Sequence, residues 1–87
     1  MLKKKILFID DEAVVVGLMK TRLESRGFLA ETALDGASGI EKAKTWRPDL
    51  ILLDIAMPGM DGYETCRRLK ALPETAPIPV VLFTAVQ

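Results

Sequence analysis

The sequence predicts an α/β fold, a doubly wound parallel sheet, and two observations carry that prediction. Three short apolar runs, Ile6-Leu7-Phe8-Ile9, Leu50-Ile51-Leu52-Leu53 and Val80-Val81-Leu82-Phe83, are continuous rather than alternating, which is how strands buried on both faces of a parallel sheet read. Between them lie segments whose apolar residues recur at helical spacing, and each crossover between parallel strands must then be right-handed and pack back on the sheet. Four strands and three helices are expected.

The first strand ends at Asp10. Over residues 12–26 Val15, Leu18, Met19 and Leu23 recur at helical spacing, and Gly27 stands where a helix cap would sit. Residues 29–33 form a weaker strand candidate. Asp35-Gly36 reads as a turn, followed by a second helix carrying Ile40, Ala43 and Trp46 and ended by Pro48. The next strand, residues 50–53, terminates in Asp54. Met57-Pro58-Gly59-Met60-Asp61-Gly62 demands a loop, with the two glycines expected to take backbone shapes that other residues resist. Tyr63, Cys66 and Leu69 mark the inner face of a third helix. Residues 73–79, between two prolines, form a rigid connection, and the fourth strand ends at Thr84.

Composition narrows the function. Twelve basic and twelve acidic residues leave a formal net charge of zero, so no long-range field draws the chain to nucleic acid or an anionic membrane. The apolar runs are too short for a bilayer span or a signal-peptide core, and the chain is read as cytoplasmic. One cysteine makes no internal disulfide, and without histidine the usual zinc sets cannot assemble. A bound metal must be held by oxygen.

Three strands end, at their carboxyl side, in oxygen-bearing side chains: Asp10 and Asp11, Asp54, and Thr84. Open α/β sheets bind ligands at that end, near the point where strand order reverses. If the first and third strands are neighbours, three carboxylates converge, and clustered anions are relieved by a cation or by protonation. Magnesium suits such a site because it takes one or two carboxylates and fills its shell with water and phosphate oxygens. A carboxylate can also act as nucleophile in phosphoryl transfer. Asp54, at the end of the most apolar strand, is the candidate acceptor, and Thr84 can offer a hydroxyl to a phosphoryl oxygen.

Taken together, Ile6-Leu7-Phe8-Ile9-Asp10-Asp11-Glu12, Asp49-Leu50-Ile51-Leu52-Leu53-Asp54-Ile55-Ala56-Met57-Pro58-Gly59-Met60-Asp61-Gly62 and Val80-Val81-Leu82-Phe83-Thr84-Ala85 closely resemble the receiver domains of two-component response regulators. The resemblance implies a flavodoxin-like receiver fold over residues 1–87. It implies that a histidine kinase or phosphotransfer protein phosphorylates Asp54. Asp11 and Asp54 would bind Mg2+ directly, Asp10 would act mostly through a water, and the backbone carbonyl of Ala56 would complete the protein ligands. Thr84 resembles the family's switch hydroxyl, and Ala56 occupies the position that influences the lifetime of the aspartyl phosphate.

A full receiver continues with a further helix, strand and helix, including a lysine that contacts the phosphoryl group. None has a counterpart in these 87 residues, so a truncated receiver is expected, with an intact acceptor in an incomplete site. An uncovered fourth strand and sheet face would then favour self-association. Two rival functions fit parts of the pattern. Haloacid-dehalogenase-like phosphohydrolases place a second acid two residues after the nucleophile, where this chain has Ala56, so an enzyme is not expected. A vestigial docking module would leave the acid pocket inert. Asp61 reads as a helix cap, Cys66, Trp46 and Tyr63 as core, and Lys3, Lys4 and Lys5 as a solvated strand start.

Overall fold

A computed structural model describes residues 2–84. Seven elements alternate along the chain: β1 (Lys5–Ile9), α1 (Ala13–Ser25), β2 (Leu29–Ala33), α2 (Gly36–Trp46), β3 (Leu50–Asp54), α3 (Gly62–Ala71) and β4 (Val80–Phe83). The strands form one parallel sheet in the order β2-β1-β3-β4. β1 and β3 are therefore neighbours, and the chain reverses direction across the sheet between them. The expected four strands and three helices are all present.

Because strand side chains alternate, each apolar run supplies both faces of the sheet. Leu7, Ile9, Ile51 and Leu53 point to the side of α2 and α3, where they are fully buried with Ala43 and Leu69. Ile6, Phe8, Leu50 and Leu52 share the other face, and α1 packs there against β1 and β2. Among the described residues α1 is the one helix on this face, where Leu50, Leu52 and Phe83 are half-buried and Val81 is 49% exposed.

Helix ends follow local chemistry. Asp35 is the N-cap of α2, its side chain accepting from the Ser38 N–H at 2.7 Å, so Asp35-Gly36 starts a helix rather than making the expected free turn. Gly36 lies so close to α3 that a Cβ would run into the Thr65 hydroxyl and the Met60 sulfur. α2 stops at Arg47, whose φ of 54° is left-handed, one residue before Pro48. Asp61 caps α3 by accepting from the Glu64 N–H at 2.9 Å, as expected. The connection to β4 is built of turns rather than stiffened by proline alone. Buried Thr75 donates to the Leu69 carbonyl at 2.6 Å, and Lys70 reaches the Ala76 and Ile78 carbonyls.

Three assignments differ. In α1 Val16 is the buried residue and Leu18 is 61% exposed, because Leu18 lies about 200° further round at 100° per residue. A helix with valine at three consecutive positions, Val14 to Val16, does not announce its inner side. In α3 the buried line runs through Gly62, Thr65 and Leu69, with Cys66 beside it, and Tyr63 is 62% exposed. Lys5 is not merely solvated: its ammonium lies 5.3 Å from the Trp46 ring centroid and donates to the Trp46 carbonyl at 2.9 Å.

Candidate metal centre

Parallel register builds the site. Ile9 pairs with Leu53, so the next residues along each strand, Asp10 and Asp54, emerge side by side at the carboxyl end of the sheet. Asp10 extends the β1 ladder, its N–H donating to the Ala33 carbonyl at 3.1 Å, and only 2% of the residue is exposed. Asp54 is 3% exposed, whereas Asp11, already turning into α1, stands in solvent. One carboxylate oxygen from each of Asp10, Asp11 and Asp54 lies within 4.8 Å of the others. The three acids expected to converge do so.

Backbone donors hold the two buried acids. The Glu12 N–H donates to Asp10 Oδ1 at 3.0 Å, and the Ala56 N–H to Asp54 Oδ1 at 3.2 Å, each across a turn of two residues. These bonds aim the carboxylates along the mouth of the sheet. Burial is the largest influence on Asp10 and pushes its carboxyl above the usual aspartate range. The Glu12 N–H opposes that, while the charges of Asp54, Asp11 and Glu12 add to it. Phe8 and Phe83, stacked with ring centroids 5.4 Å apart, lie on the same sheet face as Asp10 and Asp54 and put apolar surface next to the acids. Such a pocket is under electrostatic tension that a hard divalent cation would relieve. Its donors are all oxygen, as magnesium requires.

The loop after β3 folds back on that strand. The Ile55 N–H donates to the Phe83 carbonyl at 2.8 Å, and the Gly62 N–H returns to the Ile55 carbonyl at 2.9 Å. A Cβ on Gly62 would collide with the Asp54 carbonyl and approach Ile55 Cα at 2.7 Å. Gly62 is thus required by close approach rather than by backbone shape. Gly59, with φ of 73°, is the glycine that the turn itself needs. Met57 is buried beneath the loop and Ala56 is exposed, which leaves no bulk over Asp54 at that position.

Thr84 follows β4 directly. Since Phe83 pairs with Asp54, the exposed Thr84 lies one step beyond, at the same end of the sheet as the acids. Ala85, expected to complete the strand-ending pair, falls outside the described residues. Three participants escaped the sequence reading: Glu12 as a donor and as a further negative charge, the stacked phenylalanines, and Gly62 as a contact. Only the Asp-Asp-Glu run carried a local signal. The phenylalanines lie 75 positions apart and meet only through the sheet.

Comparison with known proteins agrees with this geometry. Residues 6–87 match the family described as response regulator receiver domain. The chain is 45% identical over 82 residues to the response regulator PleD of Caulobacter vibrioides, covering 94% of this chain and 18% of that protein. It spans well under half of such curated relatives. Among solved structures, the N-terminal domain of a response regulator receiver protein from Methanoculleus marisnigri JR1 superposes with a TM-score of 0.90 at 43% identity, over 94% of this chain and 67% of that one. The receiver domain of a sensor histidine kinase from Pseudomonas aeruginosa PAO1 is described with a magnesium ion coordinated in its active site cleft. It matches with a TM-score of 0.85 at 27% identity, over 93% of this chain and 66% of that one. With fold, acid cluster and family match in agreement, the chain belongs to the response regulator receiver domains.

Proposed function

We propose that Asp54 accepts a phosphoryl group from a histidine kinase or phosphotransfer protein, residues 1–87 acting as one receiver domain in the cytoplasm. The observation that carries this reading is the convergence of Asp10, Asp11 and Asp54 around a buried, backbone-held carboxylate. Asp54 Oδ1 is held by the Ala56 N–H, leaving its other oxygen to form the new bond to phosphorus as the donor's bond breaks. Asp10, Asp11, Asp54 and the Ala56 backbone carbonyl would hold Mg2+, with Asp10 reaching it mostly through water. When bound, that ion supplies positive charge against the phosphoryl oxygens. Thr84 then offers its hydroxyl to a phosphoryl oxygen.

Exposed Val14 and Leu18 lie one turn apart on a helix that begins two residues after Asp11 and form an apolar surface there. That surface suits a docked donor protein. With a formal net charge of zero the chain is not assigned a direct nucleic-acid contact, and among the described residues no helix is long and apolar enough to cross a membrane. Self-association through β4 belongs to the same reading. A phosphohydrolase is disfavoured by Ala56 where a general acid would stand, and an inert docking module is disfavoured by the converged acids.

Acetyl phosphate with and without magnesium tests the acceptor. Intact mass should rise by one phosphoryl group only with the metal, and Asp54→Asn should abolish the gain. Modification persisting in Asp54→Asn, or none in the wild type while a magnesium-dependent beryllofluoride response is also missing, would remove Asp54 from this role.

A further inference from the structure

Two walls flank the acid cluster, and a segment of four residues reaches from one to the other. At its start the Ala33 carbonyl, at the end of β2, accepts from the Asp10 N–H at 3.1 Å. At its end Gly36 opens α2 and lies against the loop that follows Asp54. Between them Asp35 fixes the start of the helix, its side chain accepting from the Ser38 N–H at 2.7 Å and its carbonyl from the Gly39 N–H at 3.1 Å. Residues 33–36 thus join the Asp10 side of the cluster to the Asp54 side.

Two side chains with separate anchors make the contact at Gly36. A Cβ there would overlap the Thr65 hydroxyl and stand 3.2 Å from the Met60 sulfur. Thr65 is fully buried, and its hydroxyl donates to the Asp61 carbonyl at 2.8 Å, where the loop becomes α3. Met60 belongs to the loop itself. The other end of the loop is closed by the Met57 and Gly62 N–H groups, which both donate to the Ile55 carbonyl, and Gly62 lies against the Asp54 carbonyl. Gly36 has no positive φ and alanine is the better helix former, so neither backbone shape nor propensity accounts for a glycine at this position. Close approach does account for it.

We propose that Gly36 is a positioning residue for the acceptor site: its bare backbone lets α2 hold Met60 and Thr65, and through them the loop after Asp54, at a fixed spacing from Asp10. This deepens the acceptor reading and rests on it. The same loop carries the Ala56 carbonyl assigned to Mg2+ and the Ala56 N–H that holds Asp54 Oδ1 at 3.2 Å. An ion shared by both walls needs them at matching distance, because magnesium tolerates little departure from an octahedral shell at about 2.0–2.1 Å. A methyl at residue 36 pushes the loop off α2 and spreads the walls without touching any ligand.

Mg2+ titration followed by nuclear magnetic resonance, with amide hydrogen exchange in the metal-free chain, tests the assignment. In Gly36→Ala, Mg2+ should bind at least fivefold more weakly, and the Gly62 amide should exchange at least threefold faster relative to the Leu7 amide in β1. Thr65→Ala added to Gly36→Ala vacates the atom that the methyl strikes and should tighten Mg2+ binding again by at least threefold. Ala43→Gly, buried two turns further along the same helix, loosens α2 without reaching the loop and should bind Mg2+ within twofold of wild type. If Gly36→Ala does not fold, Met60→Ala, which removes one contact and adds no bulk, should bind Mg2+ at least threefold more weakly. Wild-type affinity in Gly36→Ala or in its substitute Met60→Ala, a double variant no tighter than the single, or Ala43→Gly as weak as Gly36→Ala would each overturn the proposal. A wild type that binds no Mg2+ defeats the acceptor reading alone, since the exchange ratio is read without metal and still decides whether Gly36 holds the loop.

Discussion

The two faces of the sheet are built from the same strands yet carry unequal loads. On the side of α2 and α3, Leu7, Ile9, Ile51 and Leu53 are sealed from water, with Leu69 and Ala43 packed over them. On the side of α1, their sequence neighbours Leu50 and Leu52 are half-covered and Val81 lies open. Among the described residues apolar burial is therefore deepest on one face, while the other carries the buried acids Asp10 and Asp54 at its carboxyl end. A side chain's place in the chain says little about its contribution; its parity along the strand says more.

Substitution in adjacent residues of β3 probes that contrast most strongly. Leu53→Ala should cost about 2–5 kcal/mol in chemical denaturation, because it opens a cavity in a closed core. Leu52→Ala, one residue earlier on the half-open face, should cost about half as much, since less apolar area returns to water. Equal losses would show that α1 and its surroundings close their face as tightly as α2 and α3 close theirs.

Gly62→Ala should come next, at about 1–3 kcal/mol, since the added methyl forces the loop away from the Asp54 carbonyl. It should also weaken the magnesium-dependent beryllofluoride response, because the displaced backbone is that of Asp54. Gly59→Ala, strained by its positive φ but touching nothing, should destabilise by about 1 kcal/mol and leave that response intact. A response lost equally in both variants would mean that general loosening, not the contact at Asp54, is responsible.

Acidity sharpens the comparison at the mouth of the sheet. The folded state raises the Asp10 pKa, so between its ordinary value and the raised one the folded chain holds the proton more tightly. Metal-free stability should therefore fall as pH rises through that window, and the cost is complete above the folded pKa. Asp10→Asn removes the charge while its amide oxygen can still accept from Glu12. Urea midpoints without metal should show this variant more stable than wild type at neutral pH, the difference closing below about pH 4 where both states are protonated. A difference independent of pH would remove ionisation as the cause. The smallest effect belongs to Leu18→Ala, outside both faces, which should stay within about 0.5 kcal/mol of wild type.

Legibility followed the length and purity of each pattern. β3 differs from its expected bounds only by taking in Asp54, because a continuous apolar run between polar punctuation has few alternatives, and the weaker candidate over residues 29–33, which contains Glu31 and Thr32, forms β2 at those bounds. The inner side of α1 was misassigned at Leu18, since a helix with apolar residues around much of its circumference offers several stripes and only neighbours choose one. Tyr63 was misassigned because an aromatic weighs heavily in a hydrophobic pattern, whereas α3 uses Gly62 and Thr65 to approach the sheet and α2 closely. Asp61 was legible as a cap because capping is a local bond between a side chain and the next turn.

The sequence by itself determined the strand and helix alternation, the placement of Asp10, Asp11, Asp54 and Thr84 at strand ends, and the oxygen-only chemistry open to them. These are consequences of residue type and short-range spacing. Tertiary structure decided which face is sealed, that β1 lies against β3 so that the carboxylates meet within 4.8 Å, and that lysines from two helices cap the outward carbonyls of β2. Each depends on groups far apart in the chain, and only packing sets their distance.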